Sequence, residues 1–148
     1  MPISKDLWET IRNHLAGTYP SVEFRLGEDK ISITREPKSE SQTILCVYIN
    51  GLIKASWMQL ESDKPACVEK VWKTRQFAIF KAKDIRRIEK TFGKREAKKI
   101  YPNLHGRGTY FSPYFTKSSV LVRQFQKIKE LELVSINHDS YEDFMKYA

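Results

Sequence analysis

The chain has 148 residues, a formal net charge of +8 and a hydrophobic content of 41%, which together predict one globular domain with a core of ordinary size. This apolar content excludes a disordered chain, and two cysteines are too few for a disulfide framework. We therefore expect Cys46 and Cys67 to be reduced, buried thiols.

The ends and the hydropathy of the chain predict a soluble protein in the cytoplasm. Residues 1–10 carry charge and no apolar run, so we expect no signal peptide. No stretch reaches the roughly 18 apolar residues of a membrane span. We predict a single compact domain over residues 1–148, in which residues 139–148 form an acidic tail.

The first part of the chain predicts one helix and two strands. Ser4 is placed to cap a helix over about residues 5–16. The apolar face of this helix consists of Leu7, Trp8, Ile11 and Leu15. Alternating apolar and polar residues then predict half-buried strands at 22–26 and 31–33, on either side of a turn at 27–29.

Asn50–Gly51 is the strongest hairpin signal in the chain. It lies between two apolar segments, 43–49 and 52–58, which predict paired strands folded about this turn. In that register one face is almost entirely apolar, and we expect it to pack against the helices. Its members are Ile44, Cys46, Tyr48, Ile53, Ala55 and Trp57.

The remaining segments predict helices joined by a strand and a loop. Residues 65–72 predict a short helix and residues 76–80 a fifth strand. Two basic helices follow, the first capped by Asp84, with a break at Gly93 because one straight helix cannot bury the apolar residues on both sides of it. Residues 103–115 predict a loop, Thr116 a cap for a last helix, and residues 131–136 a final strand.

Together these elements predict an α+β fold. It consists of an N-terminal helix, an antiparallel sheet of four to six strands that contains the Asn-Gly hairpin, and C-terminal helices packed on one face.

Positive charge is concentrated between residues 70 and 107. This stretch holds thirteen Lys and Arg and three acids, a net charge of +10, whereas the rest of the chain sums to −2. On the first basic helix the cations lie opposite Ile85, Ile88 and Phe92. Such a row can neutralise phosphates, although a solvated helix face shows the same pattern.

We therefore predict a non-enzymatic domain that binds nucleic acid or another polyanion with low sequence specificity. The predicted phosphate contacts are Lys83, Arg86, Arg87, Lys90, Lys94 and Lys98, with Arg107 and Tyr110 assisting. Aromatic residues between 101 and 115 leave two interpretations open: exposed rings stack unpaired bases, whereas buried rings hold a loop to the core. Gly106–Arg107–Gly108 is a weak signal for a backbone phosphate nest.

Two other functions stay open. An interaction protein, such as an inhibitor or adaptor, would dock on an acidic protein surface. If nothing within the domain covers it, the mixed face of the hairpin is a contact surface, formed by Leu45, Val47, Ile49 and Leu52. A metal-dependent nuclease needs paired acids and a Lys, which Glu28–Asp29–Lys30 and Glu23 offer, but in a turn. The histidines and cysteines match no zinc spacing, and we predict no catalytic residue, metal or cofactor.

Overall fold

The structure, a computed structural model, describes residues 3–137 and the backbone of residues 139 and 140. The chain divides into two compact units. The first, called here the sheet unit, comprises Met1–Lys73 and Phe111–Ala148, and the second, called the basic unit, comprises Thr74–Tyr110. The single domain predicted for residues 1–148 stays a prediction, and the acidic tail beyond residue 140 lies outside the described residues.

The sheet unit begins with the predicted helix, α1 (Lys5–Leu15). The Ser4 hydroxyl caps it by accepting a hydrogen bond of 3.2 Å from the Leu7 N–H. All four predicted core residues of this helix are buried, namely Leu7, Trp8, Ile11 and Leu15. Both the N-terminal cap and the buried face predicted from the sequence are therefore confirmed.

An antiparallel sheet forms the centre of the sheet unit. The strands of the described chain are β1 (Ser21–Leu26), β2 (Asp29–Pro37), β3 (Thr43–Ile49), β4 (Lys73–Ala78), β5 (Arg107–Ser112), β6 (Tyr114–Phe115), β7 (Glu132–Ile136) and β8 (Asp139–Ser140). Six of them pair in the order β6-β3-β2-β1-β7-β8, while β4 and β5 form a separate two-stranded ribbon. Val22, Phe24 and Leu26 are buried, as the alternation in β1 predicts.

Two further helices, α2 (Val68–Val71) and α5 (Ser118–Phe125), complete the sheet unit, and α5 packs against both α1 and α2. Aromatic rings join these helices to the sheet. The Phe24 ring lies 5.7 Å from Trp8 and 5.6 Å from Phe125, and Phe125 lies 6.4 Å from Phe115. The predicted α+β fold, with an N-terminal helix, an antiparallel sheet and C-terminal helices, is confirmed.

The Asn50–Gly51 turn forms, but the second strand of the predicted hairpin does not. Asn50 and Gly51 have φ angles of 53° and 78°, and Ile49 exchanges two backbone hydrogen bonds of 3.0 Å with Leu52. Beyond Leu52 the chain leaves the sheet, and Ala55–Met58 forms a 3₁₀ helix.

The second strand of the hairpin is missing because other parts of the chain already bond to the backbone groups at the edge of β3. The Val47 N–H donates to the Pro113 carbonyl at 2.9 Å, and the Val47 carbonyl accepts a 3.0 Å hydrogen bond from the Trp72 indole. Strand β6 pairs with Leu45 and Cys46. A strand at 52–58 would need these same backbone groups, so tertiary contacts override the local hairpin signal.

The predicted inward face of β3 is also wrong. Leu45, Val47 and Ile49 are 0% exposed and form the core, whereas Ile44 and Tyr48 are only partly buried. Their predicted partners, Ile53, Ala55 and Trp57, do not belong to the sheet, and Ala55 is exposed. The protein-docking surface predicted at Leu45, Val47, Ile49 and Leu52 is therefore wrong, because only Leu52 is exposed.

The opposite face of β3 lines an open groove of about 610 Å³. Its walls include Glu36, Cys46, Tyr48, Ile53 and Tyr114. The Glu36 carboxylate accepts a hydrogen bond from the Tyr48 hydroxyl at 3.3 Å. This face of β3 thus borders a groove that is open to solvent, although Cys46 itself is buried.

The basic unit contains two helices, α3 (Ala82–Phe92) and α4 (Lys94–Ile100), together with most of the β4–β5 ribbon. The predicted break at Gly93 is confirmed, and the residue has φ 81° and ψ 154°. The small interior of the basic unit includes Ala97 and Leu104, which are both buried. It also includes Phe80, whose ring meets the Tyr101 ring edge-on at a centroid distance of 5.6 Å.

Several predicted boundaries shift. Lys81, not Asp84, is the N-cap of α3, and Lys117, not Thr116, is the N-cap of α5. The predicted loop at 103–115 contains β5 and β6. Its strand character depends on β4 and β3, which are distant in sequence and therefore leave no local signal.

Candidate nucleic-acid interface

The cationic side of α3 faces solvent. Its four cations, Lys83, Arg86, Arg87 and Lys90, are all exposed. At about 100° of rotation per residue they fall within an arc of roughly 100°. Ile85 and Ile88 lie on the opposite side and are partly buried. The helix therefore presents a continuous row of cations to solvent.

The acids of the basic unit leave most of this row without a partner. Asp84 Oδ1 lies 3.5 Å from Arg87 Nη2, an exposed pair that contributes little to stability. Glu89 points to the other side of α3, where its carboxylate lies 3.6 Å from His105 Nε2. Within residues 3–137 no ion pair involves Lys83, Arg86 or Lys90.

A second set of cations lies on α4. Lys94, Arg95 and Lys98 are exposed and fall within about 100° of one another around the helix, while Ala97 is buried. Lys99 pairs with Glu96 at 3.6 Å. Arg95 is not among the contacts predicted from the sequence, although its spacing from Lys94 and Lys98 places it on this side.

Arg107 and Tyr110 do not share a face. They lie three residues apart on β5, so their side chains project from opposite sides of the strand. Arg107 is exposed, whereas Tyr110 is partly buried and its ring lies 6.0 Å from that of Phe77. The Gly106 N–H donates to the Asn103 carbonyl at 2.9 Å, so it is not free to join a phosphate nest.

The charge of the protein divides sharply between the two units. The basic unit holds eleven Lys and Arg and three acids, a net charge of +8, which equals the charge of the whole chain. The sheet unit holds fifteen of each sign and sums to zero. A polyanion would therefore be attracted to the basic unit specifically.

The acidic segment considered for a nuclease has a structural role. Asp29 accepts a 2.9 Å hydrogen bond from the Asn50 amide, whose oxygen accepts one of 2.9 Å from the Lys30 N–H. Glu23 pairs with Lys30 at 3.1 Å. These bonds tie the β1–β2 turn to the turn after β3. No group of three or more metal-binding side chains is found among the described residues.

Both cysteines are buried and free, as predicted from the sequence. Burial raises the pKa of Cys46 to about 11, with a further contribution from Glu36. Burial also raises the pKa of Cys67 to about 12, helped by Asp29. Both thiols are protonated at neutral pH, so they are weak nucleophiles.

Comparison with known proteins does not identify a relative: no family model, curated protein or solved structure matches the chain. Across the described residues, every helix is too short or too polar to cross a membrane. The function is therefore inferred from the charge and geometry of the chain itself.

Proposed function

We propose that the chain is a non-enzymatic nucleic-acid-binding domain of low sequence specificity that acts in the cytoplasm. The observation that carries this proposal is the exposed row of cations on α3, most of them without a carboxylate partner in residues 3–137. The proposed phosphate contacts are Lys83, Arg86, Arg87 and Lys90 on α3, Lys94 and Lys98 on α4, and Arg107, with Tyr110 assisting.

Phosphate binding accounts for the spacing of these side chains. Successive turns of α3 present cations about every 5.4 Å along its axis, so the row can meet several phosphates of one strand. Each neutralised phosphate releases condensed counterions, which makes the affinity depend on salt. Contacts to phosphate carry no sequence information, which is why low specificity is part of the proposal.

An acidic protein surface is the second candidate partner. The basic unit exposes Phe92 and Ile100, which are 45% and 49% accessible and lie on the two basic helices. A phosphate backbone offers no apolar counterpart for them, whereas a protein interface does. Both partners would use the same cations.

Reversal of three charges on α3 tests the proposal. In the variant Arg86→Glu/Arg87→Glu/Lys90→Glu, binding of short oligonucleotides should weaken strongly, because three phosphate contacts become repulsive. The slope of log K against log salt should also fall by about 2 to 3, since each duplex contact contributes about 0.9. Fluorescence anisotropy over a salt series measures both quantities.

A matched control reverses three positive charges of the sheet unit, so that the net charge of the protein changes by the same amount. Lys38, Lys127 and Lys129 are exposed residues of the sheet unit, and their replacement by Glu alters the net charge equally. This control should retain the salt slope of the wild type. A triple α3 variant that binds like the control contradicts the proposal, as does a wild type that binds no oligonucleotide at about 50 mM salt.

Two further results would favour the alternatives. Tighter binding to poly-glutamate than to oligonucleotides at equal salt would favour an acidic protein partner. Cleavage that requires Mg²⁺ and disappears in Asp29→Ala would contradict the non-enzymatic assignment.

A further inference from the structure

The β4–β5 ribbon carries exposed apolar side chains that phosphate contacts do not use. Phe77 on β4 is 49% exposed, and Ile79, just after β4, is 47% exposed. Both belong to the small basic unit, which has few buried residues in the described chain. Side chains of this kind are normally buried when an internal partner exists. Two such side chains, two residues apart, form an exposed apolar patch that is available for a contact.

Phe77 lies directly against the backbone of β5. A Cβ atom added to Gly108 would lie 2.3 Å from the Phe77 ring, so only glycine permits this contact. The Tyr110 ring lies 6.0 Å from that of Phe77, with a 55° angle between the planes. Gly108 and Tyr110 thus hold Phe77 in place, while about half of the residue stays exposed to solvent.

Ile79 and Arg75 extend this surface. A Cβ on Gly106, the residue before β5, would lie 3.2 Å from Ile79 Cδ1, so Ile79 packs against the backbone there. Arg75 is two residues before Phe77 on β4 and therefore projects to the same side. We call this surface the ribbon face; it comprises Arg75, Phe77, Ile79 and Tyr110.

We propose that the ribbon face stacks unpaired bases, so that the basic unit prefers single-stranded DNA or RNA to a duplex. This inference rests on the proposed nucleic-acid function. An open aromatic ring beside a cation stacks any base, because every base has a π-face, whereas the bases of a duplex already stack on one another. Phe77 and Ile79, the most exposed apolar members of the face, have no hydrogen-bonding group with which to read base edges in a duplex groove.

Phe77→Leu tests the stacking directly. Leu keeps an apolar side chain over Gly108 but has no ring, so phosphate contacts should be unaffected. We expect single-strand affinity to fall by about 5- to 150-fold, the equivalent of one lost base stack. The salt slope and the duplex affinity should not change. Dissociation constants are measured for single-stranded DNA, single-stranded RNA and a duplex of the same sequence.

Two companion variants separate stacking from other roles of an exposed ring. Phe92→Leu removes a similarly exposed Phe from α3 of the same unit and should leave single-strand affinity unchanged. Phe77→Trp keeps an aromatic ring at the site and should retain binding. Its indole fluorescence should be quenched by single-stranded but not by duplex oligonucleotides.

The possible failures are distinguishable. If the wild type binds duplex and single strands equally and Phe77→Leu changes neither, the ribbon-face inference is overturned while the proposed function stands. Equal weakening of duplex and single-strand binding in Phe77→Leu also overturns it. If the wild type binds no oligonucleotide at about 50 mM salt, the proposed function fails and the inference fails with it.

Discussion

His14 shows how a single side chain couples the sheet unit to pH. The residue lies on α1, and its Nε2 accepts a hydrogen bond of 3.1 Å from the Ser21 N–H at the start of β1. Burial lowers the pKa of His14 from its ordinary value of 6.5. The accepting nitrogen must also be unprotonated, so protonation would break this link between helix and strand.

His14→Gln should make unfolding less dependent on pH. Because the pKa of His14 is lower in the folded state, the unfolded state binds the proton first. Its contribution to stability is therefore fully present above about pH 6.5 and is lost as pH falls through the folded pKa. Gln retains an acceptor without titrating. Urea unfolding between about pH 5 and pH 8 gives the free energy of unfolding of the wild type and of His14→Gln. The two free energies should differ only at the acidic end of this range.

His105→Gln is the control for this prediction. His105 is an exposed residue of the basic unit, outside α1 and β1. Replacement of His105 should leave the pH dependence of the free energy of unfolding of the sheet unit as it is in the wild type. Parallel profiles for the wild type and His14→Gln would contradict the role assigned to His14.

At the scale of elements, Gly93 divides the basic helices. Its N–H donates to the Glu89 carbonyl at 2.8 Å, and its own carbonyl accepts from the Ala97 N–H at 2.9 Å. One residue thus ends α3 and begins α4. The required angles, φ 81° and ψ 154°, lie in a region that is essentially restricted to glycine.

Gly93→Ala should destabilise the helix pair by about 1–3 kcal/mol. Among the residues that the structure describes, none beyond the chain neighbours of Gly93 comes within 4 Å of the added Cβ, so the cost is backbone strain and not a clash. Amide hydrogen exchange across α3 and α4 should accelerate by about 5- to 150-fold. Thr91→Ala, an exposed change on the same helix, should stay within about 0.5 kcal/mol of the wild type. Unchanged exchange in Gly93→Ala would show that the helix pair tolerates another link.

At the scale of the whole molecule, segments far apart in the sequence complete the sheet. The edge of β3 is covered at Val47 by Trp72 and Pro113. Trp72 is 0% exposed and its ring lies 5.9 Å from that of Trp57. The indole N–H therefore replaces a strand neighbour at a buried carbonyl.

Trp72→Phe should lower the free energy of unfolding by about 1–3 kcal/mol for the unpaired Val47 carbonyl, in addition to the lost ring packing. Trp57→Phe is the matched control, because Trp57 is also buried but no hydrogen bond from its indole is present in residues 3–137. Urea denaturation should give the larger loss for Trp72→Phe. Equal losses would mean that the indole hydrogen bond contributes nothing measurable.

The features that could be predicted from the sequence are those that depend on neighbours within one or two helical turns. The Ser4 cap, the buried face of α1 and the break at Gly93 all follow from local spacing. The location of the charge and the cationic side of α3 were predictable for the same reason. Helical periodicity assigns each residue to a side regardless of what packs against it.

The tertiary structure alone decided which face of β3 is buried and which segments are strands. β3 is apolar at nearly every position, so alternation could not distinguish Leu45, Val47 and Ile49 from their neighbours. The ribbon face depends on Phe77 meeting Gly108, about thirty residues later, and no local pattern records that contact. Strand pairing joins residues distant in the chain, and its outcome is therefore set by competition for the same backbone hydrogen bonds.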